Sequence, residues 1–271
     1  MTERTPVRVM GILNATPDSF SDGGRFLDPA AALAQARRMV AQGADILDIG
    51  GESTRPGAAP VEVEAEIARV APLIAAIRAE SPVTLSIDTM KPQVARAAIA
   101  AGAEIWNDVT ALTWAPEAAD VAAELGCQVV LMHMRGEPRT MQAAPVYQDV
   151  VGEVEAFLVA RAEAAMTAGV ARARIWLDPG IGFGKTLAHN LTLLAHLDRL
   201  VALGFPVLLG ASRKSFLKAL DPRAASAADR LGGSLAAALA GAQAGVAAVR
   251  VHDVVETVQA LALARALAQA R

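Results

Sequence analysis

Cysteine occurs once in the 271 residues, at Cys127. An intrachain disulfide is therefore excluded, and Cys127, at the start of an apolar run, reads as a small core residue rather than a reactive thiol. Lysine is nearly as scarce, with four against twenty-one arginines, and asparagine occurs only at Asn14, Asn107 and Asn190. Against that background a Lys or Asn at the end of a strand is informative. Neither sign of charge is in excess: a net charge of −3 gives no bulk pull toward nucleic acid or an anionic membrane. MTERTPVRV at the N-terminus lacks the apolar core of a signal peptide, so a cytoplasmic location is expected. Residues 231–249 carry no charge, which raises the membrane question. The stretch is mostly Ala and Gly, includes Ser234 and Gln243, and is divided by Gly245. A buried helix followed by a strand is the better reading.

What the chain has in quantity is a repeating cadence. Short apolar runs end in polar residues, and each is followed by a helical stretch: VRVMGILN (7–14), DILDIGGE (45–52), TLSIDT (84–89), IWNDVT (105–110), QVVLMH (128–133), IWLDPG (175–180), VLLGAS (207–212) and VAAVRVHD (246–253). Continuous apolar runs mark parallel strands buried on both faces. Helices are expected near 29–42, 61–80, 92–101, 116–126, 148–169, 189–203, 226–244 and 254–269. Within 61–80, Val63, Ile67, Val70, Ile74 and Ile77 recur on one face, and Pro72 should kink the helix or mark its start. Gly43, Gly102, Gly126, Gly169, Gly204 and Gly245 fall where left-handed caps are wanted. Eight such units in about 250 residues predict an α/β fold, a single-domain (β/α)8 TIM barrel over 1–271 with its active site at the C-terminal ends of the strands.

The strand ends then define the chemistry. Asp88, Asn107 and Asp178 should be partly buried, with Lys214 and Arg213 as cationic partners. Two carboxylates, an amide and a lysine can read a planar heterocycle, accepting from an amino-pyrimidine edge and donating to a ring carbonyl. Arg250 and His252 on the last strand suit a phosphate or pyrophosphate, and Thr54 and Arg55 could close on the same anion. Asn14 becomes a Mg²⁺ ligand only if a diphosphate supplies further oxygens. The segments 15–29 and 53–60 are rich in Gly, Pro, Ser and Asp and leave strands at the barrel mouth, as lids do. Gly184-Lys185-Thr186 looks like the end of a P-loop, but position 179 is Pro, so a nucleotide loop is rejected. DPGIGFGK (178–185) reads instead as a glycine-rich turn carrying Phe183 over the pocket. His133 has no ligand-spaced partner and is expected to be structural.

These blocks, in order, resemble the dihydropteroate synthases of the pterin-binding enzyme family. The blocks are GILNATPDSFSDGG (11–24), GADILDIGGESTRPGA (43–58), SIDT (86–89), NDV (107–109), LMHMRGEPRTMQ (131–142), DPGIGFGKT (178–186), SRKSFL (212–217) and RVHDV (250–254). The chain departs from the pattern at Thr110-Ala111, where a serine or a glycine-containing turn is common, and at Arg135, where glutamine is. The resemblance implies joining of p-aminobenzoate to 7,8-dihydropterin-6-ylmethyl diphosphate with release of pyrophosphate. It implies that Asp88, Asn107, Asp178 and Lys214 hold the pterin. Asn14, through Mg²⁺, would hold the diphosphate with Thr54, Arg55, Arg250 and His252. Thr54, Arg55, Pro56, Phe183 and Ser215 would shape the p-aminobenzoate site, with Ser212 and Arg213 in support. Asp88, Lys214, Arg250 and His252 would carry the catalysis, and a homodimer is implied. Two other readings use the same scaffold: a methyltetrahydrofolate-binding methyltransferase and a non-catalytic pterin-binding paralogue. Thr54-Arg55-Pro56 and Arg250-Val251-His252 argue against the first, and the intact Asn14, Arg55, Lys214 and Arg250 against the second.

Overall fold

The computed structural model describes residues 6–15, 29–52, 60–136 and 140–270. Eight strands form one parallel sheet: β1 (Arg8–Asn14), β2 (Ile46–Gly50), β3 (Thr84–Asp88), β4 (Ile105–Asp108), β5 (Gln128–Met132), β6 (Ile175–Asp178), β7 (Leu208–Leu209) and β8 (Ala248–Val251). Their order is β6-β5-β4-β3-β2-β1-β8-β7, and a parallel bridge between Leu177 and Val207 joins the two edges. The sheet thus closes into a barrel, which leaves no strand edge open. The helices are α1 (Pro29–Ala41), α2 (Val63–Glu80), α3 (Pro92–Ala100), α4 (Ala118–Leu125), α5 (Val150–Thr167), α6 (Leu187–Ala195), α7 (Leu197–Val201), α8 (Phe216–Leu220), α9 (Leu231–Ala244) and α10 (Val254–Gln269).

Alternation along each strand separates two cores. Val9, Leu47, Leu85, Trp106, Leu131, Leu177 and Val249 face outward and pack beneath the helices. Met10, Ile46, Ile105, Val130, Trp176, Leu208 and Ala248 point inward and fill the barrel. Below them the Trp176 Nε1–H donates to Gln128 Oε1 at 2.8 Å, and the Arg8 guanidinium lies 4.6 Å from the Trp176 ring. The barrel is therefore plugged at its N-terminal end and open to chemistry only at the other.

Local signals explain several helix ends. Pro92 opens α3, where a missing N–H is harmless. Asp149 caps α5 by accepting from the Val151 and Gly152 N–H groups. All six expected cap glycines take positive φ, Gly245 at 94° for example. Pro72 lies inside α2, so of its two expected roles the helix start is excluded. Two further expectations are corrected. The helix expected over 189–203 breaks at His196 (φ −120°, ψ 29°) into α6 and α7. The one expected over 226–244 begins only at Leu231, after a 3₁₀ turn at Ala228–Arg230, and α8 precedes both. Cys127 is buried as expected, and burial pushes its thiol up to about 11.

Candidate active site

Inward parity carries a polar ring to the barrel mouth. On β1 it leads from Met10 to Asn14, on β3 to Asp88, on β4 from Ile105 to Asn107, on β6 from Trp176 to Asp178, and on β8 from Ala248 to Arg250. Register sets Asn14 beside Gly50, Gly50 beside Asp88 and Asp88 beside Asn107. Gly50 leaves space in that row: a Cβ there would lie 3.7 Å from Asp88 Oδ2 and 3.9 Å from Asn14 Oδ1. Gly210 does the same across the mouth, where a Cβ would sit 3.7 Å from Asp178 Oδ2.

Arg250 is the hub of the ring. Its Nε donates to Asp48 Oδ2 at 2.6 Å and its outer nitrogen to Asp88 Oδ2 at 2.7 Å. Burial works against its charge, but Asp48 and Asp88 outweigh that and raise its pKa. Burial pushes the Asp88 carboxyl up to about 7, with Arg250 pulling it down and Asp48 pushing it further up. Asp178 is also raised, first by burial, while Lys214 and the N–H of Gly180, 2.7 Å from Oδ1, act against the rise. Lys214 is lowered to about 8 by burial, against the attraction of Asp178. Its ammonium donates to the Ile181 carbonyl and lies 4.5 Å from the centre of the Phe183 ring. A buried ring in which Asp88 is pushed up to about 7 and Lys214 down to about 8 is the usual signature of a functional site.

The turn after β7 aims Lys214. Arg213 takes φ 57°, an uncommon conformation for a residue with a Cβ. Ser234 Oγ accepts from its N–H at 2.9 Å, Arg230 donates to its carbonyl at 2.8 Å, and its side chain forms a two-pronged pair with Asp253. Arg213 is therefore not a partner for the ring carboxylates, as the sequence suggested: Asp253 has taken it, and Arg250 serves Asp88. Ser212 Oγ lies 3.1 Å from His252 Nδ1 and accepts from the His252 N–H at 3.2 Å. Ser212 and Arg213 are thus tied to His252 and Asp253 at the end of β8. Ser215 is exposed at the start of α8.

DPGIGFGK folds as a tight turn over the pocket. A Cβ at Gly180 would collide with the His133 carbonyl, and one at Gly184 with the Arg135 carbonyl. Lys185 holds the turn from inside, reaching His133 Nδ1 at 2.9 Å, Gly180 O at 3.0 Å and Phe183 O at 3.1 Å. That inward ammonium confirms the rejection of a P-loop, and His133 is structural as expected. Asn190 Oδ1 accepts from the Gly182 N–H at 2.7 Å and locks the turn to α6.

Thr54, Arg55 and Pro56 lie outside the described residues, as do most of the two long segments. Sequence reasoning missed three residues. Asp48 is wholly buried one step below the ring, Asn190 holds the turn, and Lys91 ties Glu52 to Glu66 beside the ring. The signal for Asp48 was a carboxylate inside the apolar run DILDIG.

Residues 10–252 match the family model described as pterin binding enzyme. The dihydropteroate synthase of Escherichia coli K12 is 48% identical over 263 residues, covering 97% of this chain and 92% of that protein. The solved dihydropteroate synthase of Xanthomonas albilineans with 4-aminobenzoic acid superposes with a TM-score of 0.91 at 52% identity, covering 97% of this chain and 93% of that one. The same enzyme in complex with 7,8-dihydropteroate gives 0.88 at 49% identity, covering 97% and 94%. With matches of this length and identity, the chain belongs to the dihydropteroate synthases of the pterin-binding enzyme family.

Proposed function

We propose that the mouth of this barrel joins p-aminobenzoate to 7,8-dihydropterin-6-ylmethyl diphosphate, giving 7,8-dihydropteroate and pyrophosphate. The observation that carries the reading is the ring itself: Asp88, Asn107, Asp178, Lys214 and Arg250 gather at the C-terminal end of the barrel. Asp88 and Asp178 accept from the amino-pyrimidine edge, Lys214 donates to the ring carbonyl, and Asn107 supplies an amide. Phe183 closes one side, with Ser215, Thr54, Arg55 and Pro56 assigned to the p-aminobenzoate side. Arg250 and His252, with Thr54 and Arg55, take the diphosphate.

The chemistry follows from that placement. As the C–O bond to diphosphate breaks, positive charge grows on the pterin methylene and negative charge on the leaving group. Arg250 and His252 stabilise the anion, and the Asp88 carboxylate favours the cation. The arylamine of p-aminobenzoate then attacks the methylene, forming the C–N bond and losing a proton, so no protein nucleophile is required. Water must be kept from the cation, a task for a lid, which the Gly-, Pro- and Ser-rich composition of 15–29 and 53–60 suits.

Magnesium enters with the substrate. Among the described residues no group of three or more His, Cys, Asp or Glu could hold a metal. Asn14 offers one neutral oxygen facing the gap at Gly50, which suits an ion whose other oxygens come from diphosphate and water. When bound, Mg²⁺ would neutralise charge on the leaving diphosphate. We also place the protein in the cytoplasm, which its lone cysteine suits, as a homodimer, supported by the exposed Leu263 and Leu267 on α10. Among the described residues no helix is long and apolar enough to cross a membrane.

The test is pyrophosphate release from the pterin diphosphate, with and without p-aminobenzoate and Mg²⁺. Dihydropteroate should form when all are present, and failure to form it overturns the reading.

A further inference from the structure

Asp48 has no exposed surface, yet it lies one inward step below the polar ring on β2. One of its oxygens does two tasks. Oδ2 accepts from Asn107 Nδ2 at 3.1 Å and from Arg250 Nε at 2.6 Å. Its other oxygen, Oδ1, is buried and has no hydrogen-bond partner, as are Oδ1 of Asp88 and Oγ of Ser86. Ser86 is the register neighbour of Asp48 on β3. A buried carboxylate left half satisfied weakens the fold, and an apolar side chain of similar volume would often stabilise a barrel core better. Packing alone does not account for it.

We propose that Asp48 is a positioning residue for the reaction, orienting Asn107 toward the heterocycle and holding Arg250 by its Nε while the guanidinium changes partners. The inference rests on the reading of the reaction given above. The first half follows from donor chemistry. An ionised carboxylate only accepts, so the Asn107 amide must turn its NH₂ to Asp48. Its carbonyl oxygen is then the end left for a ligand, which fixes the pattern of acceptors that a heterocycle meets. With an apolar neighbour at position 48 the amide would be free to flip, and the pocket would lose its discrimination between donor and acceptor edges.

The second half follows from counting charges. Two carboxylates share one guanidinium, so Arg250 is divided between Asp48 and Asp88. If Asp88 reads the heterocycle and Arg250 takes diphosphate, their 2.7 Å bond must open as substrate enters. The Asp48 bond, on the Nε side, can persist through that exchange. Arg250 then pivots about a fixed anchor, and each substrate moiety finds its partner released by the other. Without Asp48 the whole guanidinium would collapse onto Asp88, and the pterin and the diphosphate would both compete with that pair.

Two variants test this, Asp48→Leu and Asp48→Asn, with the wild type alongside. Asparagine keeps an acceptor oxygen where Oδ2 stands, and leucine does not. The readouts are thermal unfolding, calorimetric affinity for the hydroxymethyl dihydropterin lacking diphosphate, and kcat and KM for each substrate. A misplaced binding group can lower the rate about a hundredfold. Asp48→Leu should remain folded, bind the free dihydropterin about tenfold more weakly, and lose about a hundredfold in kcat/KM for the pterin diphosphate. Asp48→Asn should recover most of the dihydropterin affinity. The idea is overturned if Asp48→Leu binds and turns over like the wild type, if asparagine rescues nothing, or if both variants unfold, since Asp48 would then be merely structural. A failure of the reaction reading itself would show in the wild type, which would form no dihydropteroate.

Discussion

Removing the Lys91 ammonium should destabilise the protein by about 3–5 kcal/mol, the range for breaking a buried ion pair from one side. Lys91 Nζ donates to Glu52 Oε2 at 2.7 Å, to Glu66 Oε2 at 2.6 Å and to the Val61 carbonyl. The side chain of Glu66 has no exposed surface, and its Oε1 has no hydrogen-bond partner. Lys91→Met keeps the aliphatic stem, so the loss is electrostatic rather than a cavity. Glu52 is itself acidic and adds to the uncompensated charge. With a urea m-value of about 3 kcal/mol/M, the unfolding midpoint should fall by about 1–2 M. Glu66→Gln in the same background removes the stranded charge and should return at least about 1 kcal/mol, so a double-mutant cycle reads the coupling directly. Urea titration followed by circular dichroism measures all four proteins. A loss under about 1 kcal/mol for Lys91→Met, or a double variant no better than the single one, would refute the reasoning. Glu52 and Val61 also bracket 53–59, so Lys91→Met should raise KM for p-aminobenzoate more than KM for the pterin diphosphate.

Three further outcomes follow from the ring and its turn. Lys214→Ala should weaken pterin affinity about tenfold to a hundredfold, the worth of a hydrogen bond from a charged donor, with an unchanged melting temperature; unchanged calorimetric affinity would remove Lys214 from the site. In the free enzyme Asp88 must lose a proton near pH 7 to accept, and Lys214 must keep one that leaves near pH 8. The kcat/KM for the pterin diphosphate should therefore rise through about 7 and fall beyond about 8, and a profile flat from pH 6 to 9 would contradict it. Lys185→Met should strand the Gly180 and Phe183 carbonyls, lowering stability by about 2–3 kcal/mol and the melting temperature by about 4–12 °C; differential scanning calorimetry showing no change would rule out Lys185 as the support of the turn.

The barrel was legible because its strands are buried on both faces, which writes them as apolar runs, and because its glycines sit where caps need positive φ. The polar ring was legible at its upper level, where Asp88, Asn107 and Asp178 end their runs. Asp48 was not, since it interrupts a run rather than ending one, and only the register with Ser86 and the reach of Arg250 reveal its role. Pairing was harder still. Arg213 and Lys214 are adjacent in sequence, but the positive φ of Arg213 sends one to Asp253 and the other to the pocket. Arg250 was assigned to an anion from its alternation with apolar residues, whereas its present partners lie on β2 and β3. No local pattern reports a bond across 162 or 202 residues.

The scarce residue types show how the mouth is built. Lys91, Lys185 and Lys214 each follow a different strand, β3, β6 and β7, and each turns its ammonium inward to acceptors of a connecting segment. Only Lys218 is exposed. An exposed lysine on a helix can be exchanged for arginine at little cost, and in this arginine-rich chain the exposed cations are nearly all arginines. For Lys91 and Lys185, an ammonium that must fit among three convergent oxygens is a different matter, because a planar guanidinium is too large and its donors point along fixed directions. The asparagines divide in the same way: Asn14 and Asn107 stand in the ring, and Asn190 needs both ends of its amide to join Gly182 to the start of α6. Three of the four lysines and all three asparagines thus stand at the mouth or its supporting turn. It follows that Lys185→Arg should be nearly as damaging as Lys185→Met, while Lys218→Arg should be silent in both melting temperature and turnover.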